Sequence, residues 1–260
     1  MSDTLTAGRV TTATDAAGIA TISFFHPSHN SLPSALLAEL AAAITALGQA
    51  PTTKVIVLRS EGERTFCAGA SFDELLSIKD EAAGKSFFSG FANVINACRT
   101  CPRIIIGRVQ GRAIGGGVGV AAATDYCLAS TTAAVKLSEL VVGIGPFVVG
   151  PAVEQKIGRA AFAQLALDAS EFRPAEWALA RGLYASLHDT PEALDAAVAT
   201  LAAKLAAYNP EALAELKQVI WAGTEHWGTL LPERAAISGR LVLSEFTQAA
   251  IGAFKQGARQ

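Results

Sequence analysis

The chain has 260 residues, of which 51% are hydrophobic and 17% are charged. This composition supplies a core for one large domain, or one domain with a helical extension, and excludes an intrinsically disordered protein. The formal net charge of −2 gives no electrostatic reason to expect binding to nucleic acid or to an acidic membrane surface.

The chain carries no recognisable targeting or metal-binding pattern. No apolar run reaches the ~18 residues of a membrane span, and residues 1–15 lack the basic-then-apolar order of a signal peptide. Four cysteines in a chain of this length do not form a disulfide scaffold, which favours a reduced, cytoplasmic setting. Cys98 and Cys101 have C-x-x-C spacing without a second pair or two histidines nearby, so we expect buried thiols and no metal.

The first half of the chain alternates between short β-branched runs and helical patterns. We expect two strands around a turn at 15–18, a helix at 33–50, a strand at 54–60, a loop at 61–72, a helix at 73–99, a strand at 103–111, a helix beginning within the glycines at 115–117, and a strand at 125–130. This alternation predicts an α/β fold with a parallel sheet and crossover helices.

From about Phe147 onward, alanine-rich amphipathic stretches replace the strands, with breaks at Pro174, 188–192, 209–210 and 223–228. The last third is therefore predicted to be mostly helical. We divide the chain into a core at 1–195 and a helical region at 196–260, which is a candidate for an oligomerisation layer.

The stretch "GRAIGGGVGVAAATD" (111–125) places three consecutive glycines where a strand gives way to a helix. The phosphate-binding loop G-x-x-x-x-G-K-[ST] fails at "GKS" (84–86), because Lys79 stands five positions before Gly84, and the glycine stretch fails the dinucleotide fingerprint G-x-G-x-x-G at Val120. The first N–H groups of a helix have no partners within it, and bare backbone lets a ligand oxygen approach them. Such a loop can form half of an oxyanion hole, with "FCAGASF" (66–72) as the other half. Each loop alone is also compatible with an ordinary turn.

Together, the two loops resemble the crotonase (enoyl-CoA hydratase/isomerase) superfamily. "RTFCAGASF" (64–72), "VQGRAIGGGVGVAAATDYCLAS" (109–130) and "KLSELVVGIGP" (136–146) are similar to three family motifs, in the family's order and at about its spacing. "EFRPAEWALARGLYASLHD" (171–189) is also similar to the family's segment after the active site. The resemblance covers about Gly18 to the C-terminus.

The resemblance implies stacked ββα turns around a parallel core, followed by C-terminal helices that build trimers or hexamers. It implies an acyl-CoA substrate, no separate cofactor and no metal. By motif position, Ala70 and Gly116 supply the two N–H groups that hold the thioester oxygen, and Glu139 is the catalytic acid/base. The loops around Ala68, Ser71 and Phe72 are expected to lie along the CoA arm.

The chain departs from the family pattern where hydratases carry a second glutamate, because Gly119 stands there. We expect this position to leave space for a branched acyl group or for a water molecule. A single carboxylate, Glu139, suits double-bond isomerisation; hydration needs another group to place water, such as Asp73, Glu74 or a residue of the C-terminal helices. The apolar segment after Glu139 should raise its pKa. A lyase, a decarboxylase or a catalytically weak CoA-binding scaffold are the alternatives.

Overall fold

The computed structural model describes residues 8–257, with side chains to 253. Residues 1–7, where the sequence predicts no signal peptide, and 258–260, the end of the predicted helical region, lie outside the described residues. The strands are β1 (Arg9–Thr14), β2 (Ile19–Phe25), β3 (Ser31–Leu32), β4 (Val55–Ser60), β5 (Thr65–Cys67), β6 (Gly69–Ala70), β7 (Ile104–Val109), β8 (Arg112–Ile114), β9 (Tyr126–Ser130), β10 (Ala134–Lys136), β11 (Arg173–Pro174) and β12 (Ser186–His188). The helices are α1 (Ser34–Gln49), α2 (Phe72–Ser77), α3 (Glu81–Thr100), α4 (Gly116–Ala123), α5 (Gly150–Leu167), α6 (Ala175–Ala180), α7 (Pro191–Ala206), α8 (Pro210–Ile220), α9 (Trp227–Leu241) and α10 (Glu245–Gly257).

The largest sheet has six strands in the order β1-β2-β4-β7-β9-β12. Only the β1–β2 pair within it is antiparallel, and β2, β4, β7, β9 and β12 pair in parallel. The predicted α/β fold with a parallel core is therefore confirmed. The sequence identified β4 and β7 because they are short, β-branched and buried on both faces. β12 lies within the last third, where the residue pattern predicted mostly helix.

Both faces of this sheet are covered. On β4, Ile56 and Leu58 belong to the main core with α1, α3 and α4, whereas Val55 and Val57 belong to a second core beneath α7. This alternation follows from the two-residue period of a strand. Because α7 packs on the sheet, the predicted boundary between residues 195 and 196 falls inside a helix rather than at a break in the chain.

The predicted loop at 61–72 contains two short strands, β5 and β6, which pair with β8 and β3 in two smaller sheets. Two or three residues carry too little pattern to be read as a strand. The single helix predicted at 73–99 is in fact α2 and α3. The break comes at Asp80, whose carboxylate caps α3 by accepting from the Ala83 N–H at 2.8 Å.

The C-terminal third is mostly helical, as predicted, and α9 returns to pack along α3. The two backbones touch at one point: a Cβ built on Gly84 would lie 2.6 Å from the Gly239 carbonyl oxygen. This contact fixes the position of α9 over the core. Among the described residues, no helix combines the length and the apolar character that crossing a membrane requires.

Candidate functional site

A cavity opens where the β5–β6 segment, the N-terminus of α4 and the turn after β10 meet. Its walls are mostly apolar and come also from α3, α5 and α9. Ala70, Gly116 and Glu139, the three predicted catalytic residues, all line it. The fold therefore brings together residues that lie almost 70 positions apart in the chain.

The backbone of Ala70 lies at the end of β6, which pairs in parallel with β3. The next residue, Ser71, donates its N–H to the Leu32 carbonyl at 3.3 Å. Alternate residues of a strand direct their N–H groups to opposite sides, so the Ala70 N–H faces away from β3. It is therefore available to a ligand in the cavity.

Gly116 is the first residue of α4, where an N–H has no acceptor inside the helix. The chain reaches this position through Gly115, whose φ of 53° favours glycine. The two loops approach closely, since a Cβ built on Gly69 would lie 3.3 Å from the Gly116 nitrogen and 2.9 Å from the Ile114 carbonyl oxygen. The glycines therefore let two N–H-bearing segments border one space.

Glu139 begins a 3₁₀ turn that runs to Val142. Its Oε2 is buried and makes no hydrogen bond within the described part of the chain. Burial raises the pKa of Glu139 to about 7, an effect that a backbone hydrogen bond partly opposes. A Cβ built on Gly115 would lie 3.1 Å from Glu139 Oε1, so the carboxylate stands directly beside the glycine loop. Such a group can accept and return a proton near neutral pH.

The predicted CoA-arm residues divide into two groups. Ala68 and Phe72 line the cavity. Ser71 does not; it is the N-cap of α2, and its hydroxyl accepts from the Glu74 N–H at 3.4 Å. Glu74, named as a possible water-positioning acid, accepts a 2.7 Å hydrogen bond from the backbone N–H of Ser34 and is tied to the start of α1.

The expectation that Gly119 leaves free space is wrong. Gly119 is buried, and a Cβ built on it would lie 2.5 Å from Cγ1 and 2.6 Å from Cβ of Val149. Val149, at the start of α5, also lines the cavity. An isopropyl group therefore occupies the region into which a side chain at 119 would extend, and neither water nor a branched acyl group finds room there.

Sequence reasoning missed three residues that close the cavity: Phe88 and Phe91 of α3, and Ser238 of α9. Val149 belongs to the apolar segment that was predicted to surround Glu139, but its contact with Gly119 was not predicted. Phe91 packs so tightly on Gly116 that any side chain at 116 would overlap its ring. The aromatic spacing within α3 could have suggested a buried face. Nothing in the sequence indicates that α9 returns to this point, because its packing partner is more than 130 residues away.

A second buried carboxylate lies at the other end of α4. Asp125 forms a 2.8 Å ion pair with Lys217 of α8 and accepts hydrogen bonds of 2.7 Å from the Trp221 indole and the Ile105 N–H. Asp125 and Lys217 side chains are each 2% exposed. Cys98 and Cys101 are buried free thiols, as predicted, and the described residues contain no group of three ligands suited to a metal.

Comparison with known proteins places these features in context. A family model described as enoyl-CoA hydratase/isomerase matches residues 14–251. The chain is 29% identical over 210 residues to the peroxisomal Delta(3,5)-Delta(2,4)-dienoyl-CoA isomerase of Arabidopsis thaliana, which covers 75% of this chain and 74% of that one. It is 34% identical over 131 residues to the (7aS)-7a-methyl-1,5-dioxo-2,3,5,6,7,7a-hexahydro-1H-indene-carboxyl-CoA hydrolase of Rhodococcus jostii (strain RHA1), an alignment that spans 50% of each chain.

The solved structures agree with the fold. An enoyl-CoA hydratase from Mycobacterium avium superposes with a TM-score of 0.82 at 25% identity, with 95% of this chain and 96% of that chain covered.

Proposed function

The chain belongs to the enoyl-CoA hydratase/isomerase family, and we propose that it catalyses proton transfer on an acyl-CoA thioester, with Glu139 as the single acid/base. The favoured reaction is double-bond isomerisation. Glu139 takes a proton from one carbon next to the double-bond system, and the resulting enolate is reprotonated by the same carboxyl at another carbon. No further reactant is consumed, so the proton balance closes within the site.

The enolate places negative charge on the thioester oxygen. The N–H groups of Ala70 and Gly116 border the same cavity and are free of the strand and helix bonding around them. Two fixed donors aimed at developing charge stabilise it without reorganisation. This supports a role for the two N–H groups as the oxyanion hole.

The observation that carries the proposal is the state of Glu139. It is a carboxyl with a buried oxygen that no described group satisfies, and its pKa is raised to about 7 by burial. An acid of this kind is suited to accept a proton and give it back at neutral pH. A glutamate kept for stability would be expected to have partners.

Val149 favours isomerisation over hydration. Hydration needs a group that holds water beside the substrate, and the side-chain region next to Gly119 is filled by hydrocarbon. The similar proteins include one that is named as an isomerase and a solved structure that is named as a hydratase. Hydration is therefore the second candidate reaction.

The test is turnover of a panel of 2-enoyl-CoA and 3-enoyl-CoA esters, followed by the ultraviolet absorbance of the conjugated thioester. We expect interconversion of the two double-bond positions. Glu139→Gln keeps the shape and removes the base, so kcat should fall by at least ~100-fold while acyl-CoA binding survives. Activity within a few-fold of the parent would assign the proton transfer to another group. Binding without any turnover in the parent protein would instead support a CoA-binding scaffold.

We also propose that the chain assembles as a homotrimer or a dimer of trimers. Leu216, Val219 and Ile220 of α8 are 51%, 70% and 43% exposed, and they recur at helical spacing on one face. Exposed apolar faces of this kind commonly mark an interface. Sedimentation should give a trimer or hexamer; a monodisperse monomer at micromolar concentration would contradict this assembly.

A further inference from the structure

Two consecutive residues just before β3, His29 and Asn30, have a left-handed backbone, with φ of 55° and 57°. This conformation is disfavoured for residues that carry a Cβ, and it persists only where the surrounding structure holds it in place. The proton-transfer mechanism gives this turn no role. The contacts around it show which side chain holds it.

That side chain is the amide of Asn30, a residue that is 4% exposed. Its Oδ1 accepts a hydrogen bond of 2.9 Å from the His26 N–H, within the same turn. Its Nδ2 donates to the carbonyl oxygens of Glu61 at 2.8 Å and Thr65 at 2.9 Å. The amide therefore ties the turn to the segment after β4 and to the start of β5.

The turn that Asn30 holds makes direct contact with the segment that carries Ala70. The His29 carbonyl accepts a hydrogen bond of 3.2 Å from the N–H of Ala68, which lines the cavity. β3 begins directly after the turn and pairs in parallel with β6, with Leu32 opposite Ala70. The direction of the Ala70 N–H therefore depends on where the turn places β3.

A second buried amide reaches the Thr65 carbonyl from the other side of the site. Gln110 is 5% exposed, and its Nε2 donates to the Thr65 carbonyl at 3.2 Å and to the Ser60 hydroxyl at 2.9 Å. Gln110 stands just before β8, which leads to Gly116. One carbonyl thus binds an amide from each of the two segments that continue to the proposed oxyanion donors.

From these contacts we infer that Asn30 is a positioning residue, which directs the Ala70 N–H at the thioester oxygen by holding the left-handed turn against the start of β5. This inference rests on the proposed acyl-CoA function and adds to it a residue that does not line the cavity. A misplaced donor loses more of its interaction with the developing charge than with the bound ground state. Loss of the Asn30 amide should therefore lower kcat more than it weakens binding.

The test variant is Asn30→Gly, because glycine adopts a φ of 57° without strain and loses only the side-chain bonds. The probe is a saturated acyl-CoA that is isotopically labelled at the thioester carbonyl, whose infrared stretch falls in frequency when the oxygen accepts hydrogen bonds. In the bound state, Asn30→Gly should show a higher stretch frequency than the parent. Its kcat for isomerisation should fall roughly 10–100-fold, while the Kd of the saturated ester changes by less than about threefold.

The matched control is Asn209→Gly, the same replacement away from the cavity. Asn209 is the N-cap of α8, and its Oδ1 accepts from the N–H groups of Glu211 at 2.9 Å and Ala212 at 3.2 Å. This variant should lose some stability. It should keep the carbonyl stretch and the kcat of the parent, because its bonds hold a helix end that does not line the cavity.

Asn30→Asp serves as the second variant if Asn30→Gly does not fold. It keeps the acceptor for the His26 N–H and replaces the donating NH₂ group with an oxygen, so a smaller change of the same sign is expected. An unchanged carbonyl stretch in a folded variant, or a kcat within about threefold of the parent, would overturn the inference. Equal losses of kcat and of binding would also overturn it, because they would indicate a general disturbance of the cavity.

Ala70→Pro separates this inference from the proposed function on which it rests. If Ala70→Pro raises the carbonyl stretch and Asn30→Gly does not, only the positioning role of Asn30 is wrong. If neither variant changes the stretch, the Ala70 N–H does not bind the thioester oxygen, and the proposed oxyanion hole fails with it.

Discussion

The two ends of α4 each hold a buried carboxylate, and the two sites are built in opposite ways. Asp125, just beyond the C-terminus of α4, has an ammonium, an indole N–H and a backbone N–H around it. Glu139, beside the N-terminus of the same helix, has a buried oxygen with no described partner. Burial raises the pKa of Glu139 to about 7.

Under the proposed function, this difference separates a structural acid from a reactive one. Three donors compensate the loss of water around Asp125 and tie α8 to β7. Around Glu139, a backbone hydrogen bond opposes the effect of burial only in part, so its pKa is raised to about 7. If this contrast holds, substitutions at the Asp125 end of α4 should lower stability, and substitutions at the Glu139 end should lower turnover.

The largest expected effect is on stability, at the Asp125 end. Asp125→Asn keeps the shape but leaves Lys217 as an unpaired buried charge, which should lower the free energy of unfolding by about 3–5 kcal/mol. Turnover per folded molecule should stay near the parent value. Urea denaturation and activity under native conditions measure the two quantities. A decrease of less than about 1 kcal/mol in the free energy of unfolding of Asp125→Asn would contradict the contrast.

The next effect is on turnover, at the Ala70 N–H. Ala70→Pro removes this donor, and loss of one oxyanion donor costs roughly 3–4 kcal/mol of transition-state stabilisation in other enzymes. Ala70→Gly keeps the N–H and is the matched control, with kcat near that of the parent. A folded Ala70→Pro variant with unchanged kinetics would remove Ala70 from the site. Gly116→Val is a less direct test, because the new side chain would first displace Phe91.

A comparable effect is expected in the pH dependence of stability. In the folded state, burial raises the pKa of Glu139 to about 7, above the ordinary glutamate value of 4.5. The folded protein thus holds a proton that the unfolded chain has lost. The stabilisation is fully present below pH 4.5 and disappears as the pH rises to about 7, a change of about 3 kcal/mol.

Glu139→Gln has no such proton, so the stability difference between parent and variant isolates this contribution. Denaturation curves between pH 4 and pH 8 should show the parent losing stability relative to Glu139→Gln as the pH rises. Equal pH profiles would show that Glu139 titrates normally.

In the parent enzyme, kcat/KM should also rise with pH to a plateau above about pH 7, because the base must be ionised.

The sequence predicted the main strands and helices of the fold better than it predicted the residues that line the cavity. The long strands and α4 carry strong local patterns, and Ala70, Gly116 and Glu139 lie in motifs that the resemblance identifies. β5 and β6 were missed because each is only two or three residues long. Ser238 was missed for a different reason: its place in the cavity wall depends on how α9 packs, and local sequence does not encode that packing. Val149 lies in the apolar segment that was predicted to surround Glu139, but its packing against Gly119 was not predicted.

The smallest expected effect concerns the balance between isomerisation and hydration, which we expect Gly119 and Val149 to influence together. A carboxylate introduced at 119 could orient water beside the substrate, and orientation alone can lower a barrier by several kcal/mol. In Gly119→Glu alone, however, the new side chain meets Val149 at contact distances of about 2.5 Å. This variant should be destabilised by overpacking, with little gain in hydration.

The informative variant is Gly119→Glu combined with Val149→Ala, which removes the two methyl groups that fill this region. We expect the ratio of 2-enoyl-CoA hydration to isomerisation to rise several-fold above the parent, with Val149→Ala alone as the control for the opened space. The gain is limited because two neighbouring buried carboxyls resist joint ionisation, which raises one pKa further and costs stability. The ratio must be measured in variants shown by circular dichroism to be folded. If the parent already hydrates 2-enoyl-CoA at rates typical of a hydratase, Val149 does not exclude the reacting water, and that water enters by another side of Glu139.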